Sequence, residues 1–121
     1  MASALAQITA VIVFDGDVPA PTDGVVHVAV LDVSRADAAS IPVGRVDAAV
    51  PPTSAAAASR ELEVALPGLT LQPDRDYIVR AHWEPRGDQD VRPGDQLTTS
   101  SVPVTFGTEP IRVIVPLQRI A

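Results

Sequence analysis

The sequence predicts an all-β chain, a two-sheet antiparallel Greek-key β-sandwich of about seven strands. Three observations predict it. Valine, isoleucine and threonine are abundant, and such side chains suit a pleated sheet and are stiff in a helix. Twelve prolines and seven glycines are spread along the chain, so no long helix can run uninterrupted. Between these breakers lie short apolar or alternating runs of strand length.

The first run is Gln7 to Phe14, with Ile8, Ala10, Ile12 and Phe14 on one face. A turn at Asp15-Gly16-Asp17 and the Pro19-Ala20-Pro21 segment end it. Val25 to Val33 is almost continuously apolar, as expected of a central strand, with His27 and Asp32 as interruptions. Val43 to Val50 stops at Pro51-Pro52. Arg60 to Leu66 alternates, with Leu62, Val64 and Leu66 inward and Glu61 and Glu63 outward. Leu69 to Asp74 reads as a crossing loop.

Tyr77 to Trp83 follows, with Tyr77, Val79, Ala81 and Trp83 on one face and Arg80 and His82 on the other. Glu84 to Gln96 is a polar loop. Leu97 to Phe106 and Ile111 to Leu117 close the series, and Pro103 and Pro116 mark unpaired edges or bulges. One helical turn is expected at Arg35–Ser40 or Thr53–Ser59. A leucine-rich crossing loop leading into Tyr77 resembles the tyrosine corner of immunoglobulin/transthyretin-like sandwiches. The domain is expected to span residues 7–120 behind a short tail of residues 1–6.

Composition excludes several function classes. The chain of 121 residues is long enough for one core and contains no cysteine, so disulfides and thiolate metal sites are absent. All nine basic residues are arginine and the net charge is −6. An acidic chain lacks the basic footprint that nucleic acid or an anionic membrane requires. The residues before Gln7 have no basic segment and no long apolar stretch, so they do not read as a signal peptide. The longest apolar run, Ala10 to Phe14, is too short to span a bilayer. The expected location is cytoplasmic, or periplasmic if a leader has been removed.

Catalytic signals are few. His27 and His82 are the only candidate bases, both sit mid-strand, and no G-x-S-x-G elbow accompanies them. They read as structural, and the chain as no enzyme, with no cofactor. Three D-x-D pairs, Asp15/Asp17, Asp74/Asp76 and Asp88/Asp90, offer oxygen ligands of the kind calcium takes. Of these Asp15, Asp17, Asp88 and Asp90 are the weak calcium candidates. None continues into an EF-hand loop, and aspartate is expected in turns for its own hydrogen bonding, so no metal is expected.

Three segments resemble the YbaY/YscW family of small bacterial β-sandwich proteins. Gly24-Val25-Val26-His27-Val28-Ala29-Val30-Leu31-Asp32-Val33-Ser34-Arg35-Ala36-Asp37-Ala38 resembles the family's V-x-V-x-L-x-D-x-S-x-A-D-A signature, with Val30 at its leucine position. Tyr77-Ile78-Val79-Arg80-Ala81 is similar to its Y-x-V-x-A strand, and Leu97 to Leu117 resembles its final hairpin. The resemblance runs from about Ile8 to Ile120. It implies the sandwich fold and a non-catalytic role facing another protein. The family includes outer-membrane lipoproteins and a type III secretion chaperone or pilotin for a secretin. This sequence has no cysteine to match the lipobox.

The expected function is therefore a non-catalytic protein-binding or assembly module, chaperone-like by resemblance. The alternative is a small-ligand or carbohydrate-binding sandwich, for which Trp83 and Tyr77 would be the stacking platforms. The expected partner is another protein subunit or a second copy of the chain. The contact residues expected are Val11, Val13 and Ile114, because the first and last strands carry apolar residues on both faces while a two-layer sandwich buries only one. No nucleic acid and no membrane insertion are expected.

Overall fold

The computed structural model describes residues 4–34, 39–54, 58–106 and 111–120. Two sheets pack into a sandwich. The smaller sheet has the order β4-β1-β8, formed by Glu61–Leu71, Ala4–Val13 and Ile111–Pro116. The larger sheet begins with β3 (Ile41–Ala49), β2 (Val25–Asp32) and β5 (Tyr77–Glu84). It ends with β6 (Gln96–Leu97) and β9 (Gln118–Arg119), while β7 (Val102–Pro103) also pairs with β5. The helical turn expected at 35–40 or 53–59 falls on stretches whose residues 35–38 and 55–57 lie outside the described residues.

The core is where the alternation placed it. Ile8, Ala10, Ile12 and Phe14 face Val26, Val28, Val30 and Val79 across the interlayer, with Val113 and Val115 from β8. β2 is central, flanked by β3 and β5, which accounts for its unbroken apolar character.

Four expectations need correction. The sheets are not wholly antiparallel: β1 pairs with β8 in parallel, Ile8 opposite Ile111 and Val13 opposite Pro116. The first and last long strands therefore lie side by side and point the same way. The expected strand Leu97 to Phe106 is two short pieces, because the chain leaves the ladder after Thr98, whose N–H still donates to the Ala81 carbonyl, and rejoins it at Val102.

Leu69–Leu71 is not a loop but the end of β4, which runs through Pro67 and Gly68 in a bulge. Ala6 pairs with Leu69 and Ile8 with Leu66, so two residues of β4 oppose one of β1. Gly68 takes φ 68°, a left-handed conformation that glycine adopts without penalty. The extra residue flips the strand's parity, so Leu66 and Leu69 both turn inward although three positions apart. The strand total also exceeds the seven expected, because short β6, β7 and β9 are separate elements.

The tyrosine corner is present. The Tyr77 hydroxyl accepts the backbone N–H of Gln72 at 2.9 Å, tying the crossover from β4 to β5 back onto the sandwich. Its ring is buried and meets Phe106 edge-on, with centroids 6.1 Å apart. At the β3/β4 margin the Leu69 side chain fills the space that a Cβ on Gly44 would take, so the two sheets close on each other there.

Candidate functional site

Inward residues of β2 and β5 are even and odd respectively, so His27, Ala29, Arg80, His82 and Glu84 project from the outer face of the larger sheet. His27 and His82 are register partners, with ring centroids 5.7 Å apart. Residues 85–95, between β5 and β6, fold back over them. That fold-back is organised by two carboxylates.

Glu84 is fully buried and Asp95 is 1% exposed. The Glu84 carboxylate accepts His27 Nε2–H at 2.9 Å, Arg86 N–H at 2.6 Å, Gln89 N–H at 2.9 Å and the Gly87 amide. Asp95 accepts His82 Nε2–H at 2.8 Å, Arg92 N–H at 3.0 Å and the Arg86 guanidinium at 3.1 Å. A buried carboxylate is tolerated only when its lone pairs are so filled. Burial pushes the Glu84 carboxyl up, but the His27 bond and the amides of Gln89, Gly87 and Arg86 outweigh it, leaving it at about 2. Asp95 is likewise pushed up by burial and drawn further down by His82, Arg86 and the Arg92 amide.

The loop holds Gln89 at φ 67°, a left-handed conformation costing about 1 kcal/mol, with its amide on Glu84. The far end is fastened to the chain's last strand: Gly94 N–H donates to the Ile120 carbonyl at 2.9 Å, and Ile120 N–H donates to the Asp95 carbonyl at 2.8 Å. His27 also donates Nδ1–H to Asp47 at 2.7 Å. Both His27 contacts are hydrogen bonds when the ring carries both protons. Its two nitrogens then tie β2 to Asp47 on β3 and to Glu84 on β5.

Bordering this network, with His27 and His82 in its lining, is a groove of about 350 Å³. Ala29 forms its floor, Arg45 and Arg80 flank it, and Pro42, Val91 and Leu97 supply apolar walls. On the far side of Arg80 is a second concavity of about 240 Å³, where the chain leaves β5 after Thr98 and presents Thr98, Thr99, Ser100 and Ser101.

The residues expected to bind a partner lie on the opposite layer. The register brings Val11 directly opposite Ile114, and Val13 opposite Pro116. Ile114 is 55% exposed and Val13 half-buried, but Val11 is only 2% exposed. The cause is an ion pair between strands on either side of β1. Arg112 on β8 reaches Glu63 on β4 at 2.6 Å, and Glu63 is the register partner of Val11. The pair therefore arches over β1 and covers Val11, which leaves the outer patch to Ile114 and Val13.

The aspartate pairs serve turns. Asp15 Oδ1 accepts Asp17 N–H at 2.9 Å and Asp88 Oδ1 accepts Asp90 N–H at 3.1 Å. Asp15 Oδ2 takes Arg119 N–H, while Asp88 and Asp90 meet Arg92. Asp74 and Asp76 are exposed beside the Tyr77 corner. Among the described residues no three metal-ligating side chains gather at one point. The two proposed sugar platforms do not form a pair either. Tyr77 is buried, and Trp83 is half-buried against the core with Nε1–H donated to the Asp23 carbonyl at 2.9 Å.

The geometry defines a two-layer β-sandwich with one outer face grooved and the other sealed. Compared with known proteins, the chain matches no family model. It matches no curated protein. Among solved structures it is similar to an alternative pilotin from the type II secretion system of Vibrio cholerae. The likeness has a TM-score of 0.58 at 21% identity and covers 93% of this chain and 97% of that one. At that identity it is a likeness of fold.

Proposed function

We propose that this chain is a non-catalytic protein-binding module that assists assembly, of the YbaY/YscW kind that its sequence segments resemble. The observation that carries the reading is the groove on the outer face of the larger sheet, apolar along its floor and walls and held in shape by the pinned 85–95 loop. A concave apolar surface with a few fixed polar groups suits a segment of another chain. The fold's likeness to a secretion-system pilotin supports the same reading. The placement of His27, whose two ring nitrogens are held by Asp47 and Glu84, supports a structural part for it. The module is proposed to work without cofactor or metal, in the cytoplasm or, behind a removed leader, in the periplasm.

The test is co-purification from the native host with two baits, the native chain and Ala29→Trp, which fills the groove floor. A partner retained by the native chain and lost with Ala29→Trp supports the reading. Identical retention by both baits moves the contact elsewhere, and the exposed Ile114 and Val13 become the surface to test with Ile114→Asp.

A further inference from the structure

We infer that Arg80 anchors a docking site for an acidic segment of a partner chain, one whose carboxylate side chain is flanked by aliphatic residues. The inference rests on the protein-binding reading above and names the partner's chemistry. Arg45, Arg75, Arg86, Arg92 and Arg112 each meet a carboxylate. Arg80, like Arg60 and Arg119, meets none among the described residues and is exposed. It is also placed unlike the others, because it lines both concavities of this face.

The register explains the placement. Ala29 pairs with Arg45 on one side and with Arg80 on the other, so a row across three strands reads arginine, alanine, arginine. The methyl group between them leaves a saddle open to a ligand. Arg45 shares Asp47 with His27 and keeps half its surface exposed. The remaining acids of the region, Glu84 and Asp95, are buried and matched by His27, His82 and Arg86. Arg80 therefore stands on the saddle without a counter-ion among the described residues, on a chain whose net charge is −6. Exposed charges act over about 8 Å at physiological ionic strength, so the local sign governs a docked group and the acidic remainder repels it from other faces.

The two concavities divide the recognition. The exposed hydroxyls of Ser100 and Ser101, beside Arg80, suit the oxygens of a carboxylate. Val91, 57% exposed, and Leu97 offer apolar contact on the Ala29 side. A segment with an acidic residue between aliphatic ones places its charge on Arg80 and its apolar flanks in the groove.

The experiment measures fluorescence polarisation of two short fluorescein-labelled peptides, one alternating leucine with glutamate and one alternating leucine with glutamine. The proteins are the native chain, Arg80→Ala, the double variant Ser100→Ala/Ser101→Ala and Ile114→Asp. The glutamate peptide is expected to bind the native chain and Ile114→Asp alike. Arg80→Ala should weaken it about 10-fold to 100-fold, and added salt should weaken it in the native chain. The serine variant should fall between. The glutamine peptide should bind the native chain no better than Arg80→Ala binds the glutamate peptide. Equal binding of both peptides, untouched by Arg80→Ala, overturns the charge anchor while leaving a protein-binding groove in place. Binding of neither peptide overturns the anchor as well, and the Ala29→Trp co-purification then decides the broader reading on its own. Matching circular dichroism and melting curves confirm that the exposed substitutions leave the fold intact.

Discussion

The outer faces of the two sheets solve one problem in opposite ways. Each turns side chains to a face that the sandwich core does not cover: Val11 and Ile114 on the smaller sheet, His27, Ala29 and His82 on the larger. On the smaller sheet a single exposed ion pair, Glu63–Arg112, crosses β1 and covers Val11. On the larger sheet a whole loop is brought over the histidines and pinned from below by Glu84 and Asp95. The first cover is flat and leaves little relief. The second is thick at one end and absent at the other, and the step between them is the groove. Relief on this protein thus comes from where polar chain is buried, rather than from where apolar side chains are exposed.

The sharpest way to break the comparison is Val11→Asp against Ile114→Asp. The two residues are direct register partners on one face. Burying an unpaired carboxylate at Val11 should cost about 4 kcal/mol, while the exposed Ile114 change should stay within about 0.5 kcal/mol. Urea unfolding of both variants checks it, and equal losses would mean that Val11 is not covered.

Next in size is Glu84→Ala, which strips His27 and three amides of their acceptor and should cost about 3 kcal/mol. Hydrogen exchange at Gly87 and Gln89 should rise in that variant if the carboxylate is what pins the loop.

Acid should act on the same latch. The Glu84 carboxyl is depressed from 4.5 to about 2 in the fold. Its contribution is therefore complete above pH 4.5 and is lost as the pH falls toward 2. Asp95 shifts in the same direction and adds to that acid limb. Glu84→Gln should flatten the fall in melting temperature over this window, and an unchanged slope would assign the acid limb to other carboxylates. The smallest effect is expected at the other cover: Arg112→Ala should cost under about 1 kcal/mol, as exposed pairs do, yet increase accessibility at Val11. Proton exchange and urea titration of that variant separate the two outcomes.

Much of the fold was legible because period-two alternation reports a sheet with one buried face, as in Leu62, Val64 and Leu66 or Val113 and Val115. The Tyr77 corner was legible too, since its signal is local. What stayed hidden depends on partners far apart in the chain. Glu84 looks like any polar residue at a strand end, and its burial needs His27, 57 positions earlier, as well as the amides that follow it. Val11 looks like an exposed apolar residue until β4 and β8 are placed on either side of β1. Pro67 and Gly68 signal a break to a reader of single residues, whereas the ladder absorbs them as a bulge. The groove is harder still, because Ala29, Arg45 and Arg80 become neighbours only through the β3-β2-β5 order.

The parallel pairing of β1 and β8 also has a mechanical consequence. Those strands lie near the two ends of the chain, and their ladder runs from Ile8 opposite Ile111 to Val13 opposite Pro116. Tension applied to the start of β1 and the finish of β8 pulls them past each other along their length. The rungs then share the load in shear instead of opening one at a time, so rupture requires several hydrogen bonds to fail together. Resistance to pulling is set by that barrier rather than by equilibrium stability. A domain hauled by its ends should hold until this ladder slips. Single-molecule extension would register one high-force event, and a gradual low-force release would mean that the ladder carries no load.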